Sequence, residues 1–274
     1  MTLFLAAVTA VTWGFGELVY LRITKALGGY TASLWTSIFG LVLIIPVAIA
    51  SGFPRSGPTD FALAMGGALV GVAGALLYAL ALQYGQLSIV SPVVSAAAGV
   101  SAVLAVLVLG EHLRTPTAIA VVGAIIGVAL TAWVARGGGH GRATVLAMLA
   151  ALGLGVYNLL LAGSADAIGP IWAIVAFRIV SVVVLIPVAR ARGQLRLAHA
   201  GRRWLALSCV LETIGFCTLA IALSRGPVAI VAVVASQYPV IAVTGAAILL
   251  RERLRTRQWV GVALVLASVA VLSG

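Results

Sequence analysis

The chain predicts an all-α membrane protein, with ten transmembrane helices arranged as two inverted five-helix repeats. Three observations carry this expectation. Of 274 residues, 63% are hydrophobic and only 8% charged, where a soluble domain carries about 25% charged residues. The mean hydropathy is +1.21. The apolar residues fall into ten continuous runs, each near the ~20 residues a helix needs to cross a bilayer. The chain also repeats itself about 141 residues apart: Glu111-His112-Leu113-Arg114-Thr115 reads against Glu252-Arg253-Leu254-Arg255-Thr256. The same offset pairs Gly85 with Gly226, Ser95 with Ser236, and Ile45-Pro46-Val47-Ala48 with Ile186-Pro187-Val188-Ala189. A slightly different offset pairs Gly14-Phe15-Gly16 with Gly153-Leu154-Gly155. An odd number of spans per copy forces the second copy to enter the membrane the other way up. That is the inverted repeat of many secondary transporters, whose substrate site lies between the halves near the midplane.

The spans run over residues 3–22, 31–51, 61–83, 88–110 and 117–135 in the first copy. In the second they run over 143–163, 170–190, 204–224, 228–250 and 257–273. Gly28-Gly29 ends the first span, and Gly52, Pro54, Gly57 and Pro58 separate the second from the third, as such residues punctuate helices. Residues 1–135 form the first repeat, 136–142 a linker rich in glycine and arginine, and 143–274 the second repeat. A β-barrel would alternate apolar and polar residues at period two, which these runs do not do. The first span lacks a basic leader and a small-x-small cleavage pattern, so it is expected to be retained and not removed as a secretory signal.

Loop charges predict orientation. Arg55, Arg114 and Arg225 lie on the side of the N-terminus. The opposite side carries Arg22, Lys25, Arg136, Arg142, Arg190, Arg192, Arg196, Arg202, Arg203, Arg251, Arg253, Arg255 and Arg257. The latter side is expected to be cytoplasmic, with both termini non-cytoplasmic, in a multi-pass protein of the inner membrane. The basic loop from Arg190 to Trp204 is expected to rest on anionic lipid.

Several classes are disfavoured. The net charge of +11 sits in loops between apolar spans and forms no basic, aromatic-interleaved face for nucleic acid. Cys209 and Cys217 share one apolar stretch and read as packed thiols. No metal-ligand cluster or nucleophile motif is present, and Gly137-Gly138-Gly139 follows no strand. His112, His140 and His199 are scattered in loops, which argues against a membrane-embedded enzyme. No cofactor or metal is expected.

Trp13-Gly14 in the first span, Gly110-Glu111-x-Leu113 after the fourth, Arg178 in the seventh and Glu252-x-Leu254 after the ninth carry a resemblance. The chain resembles the EamA-type members of the drug/metabolite transporter superfamily along essentially its whole length. The resemblance implies a ten-helix carrier that exports or exchanges small metabolites such as amino acids or drugs, and in many members cytoplasmic termini. The chain departs from the pattern at Arg251-Glu252, where glycine is expected, and at Ser37, which matches Arg178 in the first copy.

Ionisable groups within the membrane are functional candidates. Glu17 lies one helical turn from Trp13, so both can face one cavity; it suits a proton-coupling or cation site, or else a pairing with Arg22. Arg178 can hold a substrate carboxylate bidentately or pair with Glu212. Ser88, Ser91, Ser95 and Gly99 form one small, polar helix face that serves as packing seam or cavity lining. Pro92 and Pro239 are expected to kink the fourth and ninth spans where a cavity meets freed carbonyls. Gln237 and Tyr238 stand between binding and packing, and Asn158 is mid-span and needs a partner. Trp35, Tyr78, Gln83, Tyr157 and Trp172 are weaker candidates, their aromatics fitting the interfacial belt. Gly67-x-x-x-Gly71 and Gly123-x-x-x-Gly127 read as close-packing motifs, compatible with a monomer or a homodimer.

The expected function is alternating-access transport of a small metabolite, an amino acid first, around a cavity lined by the first, fourth, sixth, seventh and ninth spans and the start of the eighth. Arg178 would meet a carboxylate, and Glu17 an amine or a coupling proton. The alternatives are an uncoupled facilitative carrier and an exporter of cationic or aromatic drugs.

Overall fold

The computed structural model describes residues 1–112, 141–195 and 202–249, with scattered positions between 115 and 126 and between 256 and 267. The fifth and tenth spans therefore lie mostly outside the described residues. So do residues 136–140 of the linker, His199 and the second-copy motif around Glu252. The helices are α1 (Thr2–Leu27), α2 (Gly29–Ala50), α3 (Pro58–Tyr84), α4 (Leu87–Ser95), α5 (Ala97–Leu109), α6 (Gly141–Ile168), α7 (Pro170–Ala191), α8 (Arg202–Leu223), α9 (Val228–Ala235) and α10 (Tyr238–Leu249). Among the described residues seven stretches are long and apolar enough to cross a membrane, α4 and α5 counting together over Ile89–Leu109; a shorter apolar stretch covers Val228–Ala242.

The fourth and ninth spans, expected to kink at Pro92 and Pro239, are each broken into two helices. α4 ends at Ser95 and α5 starts at Ala97, while α9 ends at Ala235 and α10 starts at Tyr238. The two breaks correspond at the 141-residue offset, Ala96 in the first matching Gln237 in the second. The prolines flank the breaks: Pro92 precedes the first, and Pro239 sits in the first turn of α10, where no backbone N–H is required.

The repeat is also written in backbone geometry. Gly28 (φ 83°) alone joins α1 to α2, and Gly169 (φ 87°) alone joins α6 to α7. A single residue can reverse the chain between helices only in a conformation that costs an L side chain energy. The two copies run in opposite senses. The start of α1 meets the α8–α9 loop, Thr2 Oγ1 donating to Arg225 O at 3.5 Å. The start of α6 lies at the other end of the bundle, with Arg142 over the Tyr84 ring at 4.3 Å.

The copies interlock. The first helix of each packs on the third of the other, α1 on α8 and α6 on α3. Gly67 and Gly71 of α3 abut Leu160 and Tyr157 of α6, so this small-residue face is used within the chain. Thr9 on α1 and Thr218 on α8 share a hydroxyl hydrogen bond of 2.8 Å.

One sequence pairing is corrected. The local likeness of Gly14-Phe15-Gly16 to Gly153-Leu154-Gly155 suggests a shifted offset, but the packing keeps 141 and pairs Gly14 with Gly155. A Cβ on Gly14 would lie 2.6 Å from Ile241 Cβ and 3.0 Å from Tyr238 O. A Cβ on Gly155 would lie 2.5 Å from Val100 Cβ and 2.8 Å from Ala97 O. Those partners, Ile241 with Val100 and Tyr238 with Ala97, are themselves 141 apart. Gly155→Ala is expected to cost about 1–3 kcal/mol, the range for overpacking, as the α6 backbone is pushed off α5. Unfolding of purified protein in detergent checks it, and Val100→Ala should recover part of the loss.

Candidate functional site

A cavity of about 130 Å³ lies at the centre of the bundle. It is lined by α1 (Trp13, Gly16, Glu17, Tyr20), α3 (Ala75, Tyr78), the α4–α5 break region (Val94, Ala97), α6 (Leu154, Tyr157, Asn158), α8 (Ser208, Glu212, Phe216) and the α9–α10 break region (Ser236, Tyr238). Two expectations are corrected here. The third span contributes to the wall, because Gly71 and Gly74 let α6 close on α3 against Tyr157 and Leu154 and turn Ala75 and Tyr78 inward. The seventh span contributes no lining side chain, because Arg178 and Phe177 of α7 stand behind Phe216 and Tyr157.

Glu17 is 6% exposed and fully engaged. Tyr78 Oη donates to its Oε1 and Ser91 Oγ to its Oε2. The alternative pairing with Arg22 is not formed; Arg22 lies over the Trp204 ring at 5.2 Å. Ser91 is thus neither seam nor bare lining but a ligand of the carboxylate. Tyr78 is no belt residue. It stacks with Tyr20 at 6.2 Å between ring centroids, and Tyr20 Oη in turn shares a 3.2 Å hydrogen bond with Ser33 Oγ.

Trp13 meets Phe216 and Tyr238 edge-on, at 5.2 and 5.9 Å between centroids. Its Nε1 is buried without a hydrogen-bond partner, as is Tyr157 Oη. Asn158 occupies the position 141 residues beyond Glu17. It donates from Nδ2 to Ser101 Oγ at 3.0 Å, and Ser101 is itself tied to Gly155 O at 3.1 Å.

Arg178 is 1% exposed. Its Nη2 stands 3.5 Å from Glu212 Oε2, the pairing expected as one of its two uses. The guanidinium also lies over Phe216 and Phe177, at 5.3 and 5.7 Å, close enough for cation–π attraction. Gly40 on α2 makes room for it, since a Cβ there would come within 2.7 Å of Arg178 Cζ. Glu212 bridges this buried cation to the cavity, with 29% of its side chain exposed.

The remaining candidates separate. Tyr238 lines the cavity; Gln237, in the α9–α10 break, does not, and its Nε2 donates back to Val233 O of α9 at 2.6 Å. Ser95 is buried at the break. Gln83 Oε1 accepts from Gly29 N at 2.8 Å, so it caps α2. Trp35 and Trp172 donate to Leu195 O and Gly52 O at the bundle ends, in keeping with belt positions. Cys209 is buried against α2, its Sγ 3.7 Å from Thr36 O. Tyr20, Ser208 and Phe216 are lining residues that sequence reasoning passed over. The heptad-like step Trp13, Gly16, Glu17, Tyr20 on α1 was the available signal for Tyr20.

A family model described as the EamA-like transporter family matches residues 1–133 and again 141–274. A solved structure, described only as the crystal structure of a protein, shares the fold with a TM-score of 0.78 at 18% identity, covering 98% of this chain and 95% of that one. No curated protein sequence matches. With both halves matched, the chain belongs to the EamA-like transporter family: a multi-pass membrane transporter of small solutes, and not an enzyme.

Proposed function

We propose that this EamA-like transporter is a secondary carrier that moves a small amine-bearing metabolite by alternating access and exchanges it for a proton held by Glu17. The observation that supports the reading most is the make-up of the cavity wall. Its charged lining groups among the described residues are the carboxylates Glu17 and Glu212, set among Trp13, Tyr20, Tyr78 and Phe216. Aromatic faces and carboxylates together favour a cation. A carboxyl already bonded by two hydroxyls can take up a proton when substrate leaves and release it when an amine arrives. Exchange for a proton that moves inward makes the net movement of substrate export.

A second reading keeps the amino acid. Arg178 Nε and Tyr157 Oη are buried without hydrogen-bond partners behind Phe216, and they suit a carboxylate if Phe216 turns aside. The two readings separate in proteoliposomes carrying an imposed pH gradient, tested with a labelled aromatic amine and a labelled zwitterionic amino acid. Gradient-driven accumulation of the amine alone supports the first reading. Accumulation of the amino acid that is lost in Arg178→Met supports the second. Flux of both that ignores the gradient would leave an uncoupled facilitative carrier.

A further inference from the structure

The Gly110-Glu111 pair lies outside the cavity, yet it is a point where the first repeat grips the second. Gly110 takes the left-handed conformation (φ 66°) at the end of α5, and Glu111 N closes back on Ala105 O at 3.2 Å, a Schellman-type stop. The turn aims Glu111 across the repeat boundary. Its Oε1 accepts from Val228 N at 2.6 Å and its Oε2 from Ala229 N at 3.1 Å. These are the first two residues of α9, whose N-cap is Pro227 and has no side-chain cap of its own. A carboxylate here satisfies free N–H groups and the positive end of the helix at once.

The place of the contact matters. It lies at the end of the bundle that holds Thr2 and Arg225, opposite the end that holds Arg22, Lys25, Arg142, Arg192 and Arg203. The cavity leans toward the basic end: α1 lines it from its middle at Trp13 to Tyr20, and α3 with Ala75 and Tyr78 in its last third. The Glu111 contact thus sits on the side that the cavity does not approach. From it α9 runs eight residues, about 12 Å at helical rise, straight to the break at Ser236 and Tyr238 on the cavity wall.

We propose that Glu111 is a positioning residue of the transport cycle: its carboxylate clasps the start of α9 and holds the end of the cavity away from the basic loops shut. Opening that end requires the clasp to release, because α5 belongs to one repeat and α9 to the other. The inference rests on alternating access as proposed above, but not on which substrate is carried.

Accessibility of the cavity tests it without any substrate. In a Cys209→Ser, Cys217→Ser background, Ser236→Cys places one thiol on the cavity wall, to be labelled by a membrane-impermeant methanethiosulfonate from either side of oriented vesicles. The protein with Glu111 intact should label from the basic side. Glu111→Ala should raise the labelling rate from the opposite side by about tenfold or more, about 1.4 kcal/mol, since a charge-assisted clasp is lost. Glu111→Gln, which keeps one acceptor, should fall between. Unchanged labelling from both sides in folded Glu111→Ala would overturn the clasp while leaving the carrier reading intact. Failure of both variants to fold would make Glu111 a structural cap and overturn it as well. Labelling of the Glu111-intact protein from neither side would count against alternating access itself.

Discussion

Replacing Glu17 with glutamine is expected to abolish pH-driven accumulation while leaving the carrier folded and able to exchange substrate. The geometry separates these two effects. Tyr78 and Ser91 reach Glu17 through hydroxyls, and a hydroxyl can donate or accept. Glutamine can therefore accept from one hydroxyl and donate to the other in the same space, so the packing of α1, α3 and α4 survives. What glutamine cannot do is take up and release a proton. Under a gradient of two pH units the accumulation ratio should fall from as much as about 100-fold, at tenfold per ~1.4 kcal/mol, to unity. Gradient-free counterflow should persist within severalfold. Labelled amine in proteoliposomes measures both, and accumulation that survives in Glu17→Gln would remove Glu17 from coupling and favour facilitation.

The largest loss of stability is expected from Glu212→Ala. Arg178 is 1% exposed and paired with Glu212, and removing the partner of a buried charge costs about 3–5 kcal/mol. The rings of Phe177 and Phe216 soften that loss by about 0.5–2 kcal/mol through cation–π attraction. Replacing both partners, Arg178→Met with Glu212→Met, leaves no stranded charge and should restore most of the stability. Denaturant unfolding in mixed micelles compares the single and double variants. Native-like stability of Glu212→Ala would mean that other groups hold the guanidinium. Transport by the stable double variant then reports whether the pair serves substrate or only the fold.

The fold was more legible than the site. Hydropathy placed the described spans to within a few residues, and the 141-residue offset carried the two-repeat arrangement. Pro92 and Pro239 marked the fourth and ninth spans for a kink but not its form: the helices break at Ala96 and at Ser236-Gln237, beside the prolines and not at them. The shifted pairing of Gly14 arose from a look-alike Gly-x-Gly in each half, and only the contacts with Ile241 and Val100 correct it. Within the site, a carboxyl in an apolar span stands out, so Glu17 was readable. Its partner Tyr78 was not, since nearness to a span end made it resemble a belt aromatic, and nothing in the third span shows that its hydroxyl reaches Glu17 on the first. The enclosure of Arg178 depends on Gly40 and Phe216, far apart in sequence. The reach of Glu111 to Val228 spans 117 positions, a distance across which a short motif names no partner.

The inexact symmetry of the halves sets a thermodynamic ceiling on the proposed exchange. Where the first copy has Glu17, the second has Asn158, whose carboxamide stays neutral through any cycle. With the other lining carboxylate, Glu212, paired to Arg178, the proposed exchange carries one proton per turnover, worth about 1.4 kcal/mol for each pH unit across the membrane. A monovalent cation traded for that proton moves no net charge. The stoichiometry is then electroneutral, and the membrane voltage, worth about 2.3 kcal/mol per elementary charge at 100 mV, does no work on it.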